Sequence, residues 1–198
     1  MQPTPLVSVV IPARNEAGNL PALIAGIETA LAPLGPFEIL VVDDASTDDS
    51  VAVVQGLRAS RPHLRLIRHD RAGGQSAGVH SGVRAARAAI CLTLDGDGQN
   101  PPEELPKLAA PLLAAGSEAV GLVAGQRVGR QDTAAKKWAS RFANGLRGWM
   151  LKDHTRDTGC GLKGFRRDGF LALPFFNHMH RYLPALFARD GWQVVHVD

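Results

Sequence analysis

At 198 residues, 45% of them hydrophobic, the chain is long enough for one sizeable core and carries no polar low-complexity block that would mark a linker. A net charge of +3 does not by itself indicate a nucleic-acid partner, and none is expected; it supports only a modest preference for anionic ones. Two cysteines, Cys91 and Cys160, outside any C-x-x-C pair point to a reduced cytosolic protein. Neither a signal peptide nor an apolar run of transmembrane length is present, so membrane contact is expected only from the surface or from sequence beyond Asp198. The chain stops on an apparent strand, 192–197, without a polar tail, which reads as a truncated single domain.

Residues 7–11 form a β-branched run closed by Pro12, followed by Arg14-Asn15-Glu16. Leu20, Leu23, Ile24, Ile27 and Leu31 recur at helical spacing, with Pro21 in the first turn, where a missing N–H is tolerated. A second buried strand, 37–42, ends in Asp43-Asp44. Ser46-x-x-Asp49 then has the pattern of a capping box for a helix to about Leu57. A third strand spans 64–67, and the loop 71–78 leads into a small-residue helix to about Ala88.

The fourth strand, 90–94, delivers Asp95-Gly96-Asp97. Two carboxylates separated by glycine supply hard oxygen ligands with room for close approach, the requirement for holding Mg²⁺ or Mn²⁺ against a diphosphate. A plain turn is the competing reading. Next comes a helical stretch, 103–115, where Pro111 predicts a kink or break, and then a fifth strand, 119–124, ending at Gly125-Gln126-Arg127.

A helix is predicted over 133–151, with Lys136, Ser140 and Asn144 on one side, a set able to hold a phosphate, although a solvated polar face is the blander reading. Residues 157–164 read as a glycine-rich loop. Beyond it Arg166, Arg167, His178, His180 and Arg181 surround the pair Phe175-Phe176, and His180 is the histidine to test near the acceptor side.

Alternating strands and helices with near-continuous apolar strands imply an α/β fold, a Rossmann-like, mainly parallel sheet with helices on both faces. In such a sheet the strand carboxyl ends share one edge, bringing Glu16, Asp43, Asp44, Asp95 and Asp97 together. So many acids repel one another unless a cation neutralises them or a nucleotide sugar uses them as acceptors.

As an ordered set, residues 7–16, 38–50, 94–102, 125–127, 140–144 and 157–166 resemble the family 2 glycosyltransferases of the GT-A fold. Within that family the resemblance is to the dolichyl- or polyprenyl-phosphate mannose synthase group. It implies that residues 1–198 are one GT-A catalytic domain. It assigns Pro12, Arg14, Glu16, Val42 and Asp44 to the nucleotide, and Asp95, Gly96 and Asp97 to the ribose and diphosphate. It makes Asp95, Asp97 and Gln99 the Mg²⁺ or Mn²⁺ ligands, Arg127 the arginine that reaches the phosphates, and Lys136, Ser140 and Asn144 the acceptor-phosphate face. Asp95, Asp97 and Arg127 are then the catalytic set.

Two features depart from the group. Arg14 stands where it often has an aromatic residue, and its basic segment after the last strand is missing. The implied reaction is inverting, metal-dependent transfer of a hexose, mannose from GDP-mannose, to a polyprenyl or dolichyl monophosphate at the cytoplasmic face of a membrane. The alternatives are a UDP-sugar glucosyl or aminosugar transferase, a sugar nucleotidyltransferase, a dehalogenase-type phosphatase and a non-catalytic nucleotide-sugar-binding module.

Overall fold

The structure, a computed structural model, describes residues 3–125 and 161–197. Its strands are β1 (Val7–Ala13), β2 (Phe37–Asp43), β3 (Leu64–Arg68), β4 (Ile90–Thr93), β5 (Val120–Gly125), β6 (Lys163–Arg166) and β7 (Gln193–Val197). The helices are α1 (Leu20–Leu31), α2 (Ser50–Arg58), α3 (Gln75–Ala85), α4 (Leu105–Leu113), α5 (Arg167–Ala172) and α6 (Leu183–Arg189). The strands form one sheet in the order β3-β2-β1-β4-β6-β5-β7, parallel except for β6, which runs antiparallel to both neighbours.

Successive strand residues face opposite sides, and both sides are covered. Val9, Ile11, Ile39 and Val41 pack with Leu23, Ile24 and Ile27 of α1, Val54 of α2, and Leu108 and Leu112 of α4. On the other face Val10, Leu40 and Val42 pack with Val79 and Val83 of α3, Phe170 of α5 and Phe187 of α6. β2 and β3 extend the sheet to one side of β1, whereas β4 lies on its other side. The strand order therefore reverses at β1, and the crevice of an open α/β sheet forms at such a reversal.

Several local expectations are corrected. Ser46 does not cap α2: its Oγ accepts the Asn15 N–H at 2.9 Å, and Asp48 Oδ1 accepts the Ser50 N–H at 2.9 Å instead. Pro111 does not break α4, because Leu105, Leu108, Ala109 and Leu112 are buried and hold the helix on the sheet despite the lost bond. α3 ends at Ala85 rather than near Ala88. The segment read as a loop to Gly164 enters β6 at Lys163, where Gly164 lets the strand lie close to α4: a Cβ there would stand 3.1 Å from the Leu108 carbonyl oxygen.

At the opposite end of the sheet from the crevice, Glu38 of β2 is completely buried. Its carboxylate accepts bonds from Ser8 Oγ at 2.7 Å, the Arg87 N–H at 2.6 Å, Arg65 at 2.8 Å and the Arg87 guanidinium at 2.9 Å. Burial alone would raise the pKa of this acid, but the Arg87 N–H, Ser8 and the two guanidinium groups together hold it below its ordinary 4.5. The contribution to stability is therefore full above pH 4.5 and is lost as pH falls through the lower folded-state value. Glu38→Ala should cost about 3 kcal/mol in urea unfolding at neutral pH, and the difference from wild type should shrink on acidification. A variant as stable as wild type at neutral pH would contradict this.

Candidate functional site

β1 stays paired with β2 as far as Ala13 and Asp43, but its register with β4 ends at Val10 and Thr93. The last link is the Leu94 N–H on the Val10 carbonyl at 3.3 Å. Beyond it the two chains part, and Pro12 leaves no unpaired N–H where β4 departs. The far bank is Asp95-Gly96-Asp97. Gly96 is buried, and a Cβ on it would lie 3.1 Å from Ala13 Cβ and 3.2 Å from the Pro12 carbonyl oxygen, so a side chain there would force the banks apart.

The near bank is stiffened by stitching between two loops. The Thr47 N–H donates to Asn15 Oδ1 at 2.8 Å, the Glu16 N–H to Ser50 Oγ at 2.8 Å and the Ala17 N–H to Asp48 Oδ2 at 3.1 Å. Asn15 and Ala45 adopt φ of 59° and 57°, left-handed conformations that this network holds in place. The Glu16 carboxylate accepts Asn19 Nδ2 at 2.6 Å.

The loop from β3 to α3 closes the crevice from above. Asp44 Oδ1 accepts the Gly73 N–H and Oδ2 the Gly74 N–H, both at 2.8 Å. His69 Nδ1 lies 2.8 Å from Asp44 Oδ1, and its Nε2 lies 2.8 Å from Ser81 Oγ. Facing the Asp44 carboxylate, an acceptor, Nδ1 carries a proton and donates. Burial would raise the Asp44 pKa, but the Gly73 N–H, His69 and the Gly74 N–H hold it below the ordinary 3.8. One residue further on, Gln75 Nε2 donates to Asp95 Oδ1 at 2.6 Å, and Asn100 Nδ2 reaches Asp95 Oδ2 at 3.2 Å.

These parts enclose an open cleft of ≈ 340 Å³. Pro12, Arg14 and Glu16 line it from the β1 side, Asp44 from β2, and Asp95, Gly96 and Asp97 from β4, with Gly74 and Gln75 above. Val42, the strand partner of Pro12, is fully buried and not in the lining. Gln99 is exposed and contributes its N–H, 3.0 Å from Asp97 Oδ1. Arg127, Lys136, Ser140 and Asn144 lie outside the described residues.

Behind Asp95 a small cavity of ≈ 10 Å³ is lined by Thr93, Gly161, Lys163 and His180. A Cβ on Gly161 would overlap the Asp95 carboxylate, which explains that glycine. Ser76 Oγ lies 2.7 Å from His180 Nδ1. Burial, with Lys163, Arg181 and His178 nearby, pushes the His180 pKa down to about 4, so the ring is neutral at neutral pH. His69, Gln75, Asn100 and Gly161 were not singled out as site residues by sequence. The glycine-rich loops 71–78 and 157–164 hinted at Gln75 and Gly161, Asn100 lay within the 94–102 motif, and nothing in the sequence pointed to His69.

Among the described residues no group of three or more His, Cys, Asp or Glu side chains is placed to hold a metal ion. Asp95 and Asp97 on the same bank still fit a cation such as Mg²⁺, which commonly takes one or two carboxylates and completes its shell with phosphates and water.

Residues 8–173 match the glycosyl transferase family 2 pattern. The chain is 36% identical over 203 residues to an undecaprenyl-phosphate 4-deoxy-4-formamido-L-arabinose transferase of Pseudomonas savastanoi pv. phaseolicola, covering 98% of this chain and 59% of that protein. It is 38% identical to the protein of the same description from Pseudomonas aeruginosa, covering 98% of this chain and 58% of the relative. The chain thus spans less than two-thirds of these relatives. Among solved structures, a Pyrobaculum calidifontis mannosyltransferase in complex with GDP-Man and Mn²⁺ superposes with TM-score 0.70 at 22% identity, covering 98% of this chain and 55% of that one. Mannosyl-3-phosphoglycerate synthase from Rubrobacter xylanophilus gives 0.74 at 20%, covering 97% and 65%. At such identities the likeness is one of fold, the GT-A fold.

Asp44→Ala should release the loop above the cleft. The expected loss is about 2 kcal/mol of stability, with faster amide exchange at Gly73 and Gly74. In wild type the protection of the same amides, taken relative to their intrinsic exchange at each pH, should fall as pH drops below 3.8 and the clamp protonates through its lower folded-state pKa. Unchanged exchange at these two amides in the variant would contradict the clamp.

Proposed function

The chain belongs to glycosyl transferase family 2, and from that membership and the cleft we propose that it transfers a sugar from a nucleotide donor to a polyprenyl monophosphate. The observation that carries the reading is the convergence of Asp95, Gly96 and Asp97 with Pro12, Arg14 and Glu16 on one cleft at the strand-order reversal. The nucleoside lies along the near bank, where Arg14 offers a planar cation for the base and Glu16 an acceptor. Asp44 supports that bank by fixing the loop above it, and Val42 supports it as the buried strand partner of Pro12.

Asp95 and Asp97 would hold the divalent cation, with Gln99 fixing the Asp97 carboxylate through its N–H. A divalent cation bound there supplies Lewis-acid stabilisation of the charge that develops on the departing diphosphate. Arg127 is assigned to the same phosphates, and Lys136, Ser140 and Asn144 to the acceptor phosphate, by resemblance alone.

A phosphate monoester has its second pKa near 6, so the acceptor is largely ionised at neutral pH and needs no strong general base. The neutral ring of His180 fits that economy, since a base with a pKa of about 4 is a poor proton acceptor at pH 7. The chain's task is then to aim one anion at the anomeric carbon while orienting another as leaving group. The curated relatives favour a 4-deoxy-4-formamido pentose as the sugar. Mannose from GDP-mannose, the expectation from sequence, is the competing donor.

The test is a panel of GDP- and UDP-sugars with Mn²⁺ or Mg²⁺ and a polyprenyl monophosphate, scored for organic-phase sugar. Metal-dependent product from one donor is expected. Release of free phosphate without sugar transfer would instead indicate a phosphatase, and donor binding without turnover a binding module. Asp97→Ala, at an exposed position, should leave the fold intact, abolish metal-dependent stabilisation by the donor and lower transfer by on the order of a hundredfold or more. Normal metal-dependent donor binding by this variant would contradict the assignment.

A further inference from the structure

The segment between α5 and α6, residues 173–182, is held from below and open above. Met179 is buried, His180 is tied to Ser76 of α3, and His178 takes a left-handed φ of 67° that turns the chain just before them. Over this base Phe175, Phe176 and Tyr182 stand 48%, 38% and 40% exposed. Three of the five large apolar side chains exposed among the described residues thus fall within eight positions. That is a patch rather than the scattered apolar exposure of an ordinary surface. It is also braced: Phe175 lies 5.0 Å from the His80 ring of α3, and Phe176 lies 6.1 Å from Tyr182.

Within residues 173–182 the ionisable side chains other than Tyr182 are all basic. From residue 169 to 189 the sequence contains no Asp or Glu, whereas Arg181 and His178 sit exposed within the patch. Arg84, in the last turn of α3, is close enough to His80 to lower that ring's pKa together with burial. Arg167, opening α5, donates to the Val83 and Arg84 carbonyls and so sits alongside. Arg189 is already paired with Asp190 and adds little.

We propose that Phe175, Phe176 and Tyr182, ringed by Arg84, Arg181 and His178, form the surface by which the chain docks on an anionic lipid bilayer. Aromatic side chains favour the membrane–water interface, and cations beside them are attracted by anionic headgroups. A second copy of the chain fits less well, because a two-fold interface would bring the same cations face to face. The patch is in register with the cleft through two adjacent residues of α3: Ser76 holds His180, and Gln75 holds Asp95. A bilayer at the patch therefore lies beside the β4 bank, where a lipid-borne phosphate would have to enter. In that respect the inference rests on the transferase reading, but docking and donor binding are measured separately.

The experiment is vesicle flotation with phosphatidylcholine alone and with added phosphatidylglycerol. The chain should float only with the anionic vesicles. A Phe175→Ser, Phe176→Ser double variant should bind at least about tenfold more weakly and Arg181→Gln about fivefold more weakly, each melting as wild type and keeping its Mn²⁺-dependent stabilisation by the nucleotide sugar. Undiminished flotation of both variants, or equal flotation on neutral and anionic vesicles, would overturn the proposal. So would a dimer in vesicle-free buffer that the double variant abolishes, which would assign the patch to a second copy. Absent flotation with intact donor binding removes the patch and spares the transferase. Patch-dependent flotation without binding of any nucleotide sugar does the reverse.

Discussion

The β3–α3 loop is pinned by carboxylates from strands on either side of β1, and the arrangement of the cleft depends on that pinning. Asp44, at the end of β2, takes the N–H groups of Gly73 and Gly74, and Asp95, after β4, takes the side chain of Gln75. The loop thereby spans the point where β4 leaves β1. Gly96 and Gly161 make the approach possible, each at a place where a Cβ would strike the opposite wall.

The acids on this edge are not equivalent. Asp44 is occupied by two amides and a histidine, and Asp48 by the hydroxyl and N–H of Ser50 and the N–H of Ala17. Asp43 is buried with Oδ2 on the Ser46 N–H at 3.3 Å. Fixed donors therefore offset much of the repulsion that so many carboxylates imply, at no requirement for a cation. What remains open to a ligand is Asp97, exposed and anchored through one oxygen by the Gln99 N–H; Asp95, beside it in the lining, already accepts Gln75 and Asn100. The division leaves one edge with both a fixed loop and a carboxylate, Asp97, exposed at the cleft.

Sequence disclosed what is periodic or punctuated. The buried strands, α1 with Pro21 in its first turn, and the gathering of Asp44, Asp95 and Asp97 on one edge followed from apolar runs ending in acids. It did not disclose partnerships across long chain separations. Ser46 matched a capping pattern but serves Asn15, thirty-one positions away, because the two loops lie side by side only once β1 and β2 are paired. Asp44 carried the same chemistry as Asp97 in the sequence, and only the position of Gly73 and Gly74 makes it a clamp. β6 escaped notice because it has four residues, includes a glycine and follows a glycine-rich stretch, features that locally resemble a loop. Its strand character comes from filling the gap between β4 and β5.

The proposed transfer requires Asp95 and Asp97 to grip a divalent cation together with the diphosphate of an activated sugar, inside the cleft between β1 and β4. Crystals grown with Mn²⁺ and a nucleoside diphosphate test it most directly through the manganese anomalous signal. A peak is expected within bonding distance of both carboxylates and of the phosphates, with the nucleoside against Pro12, Arg14 and Glu16. Manganese elsewhere, or a diphosphate bound away from Asp95 and Asp97, would contradict it.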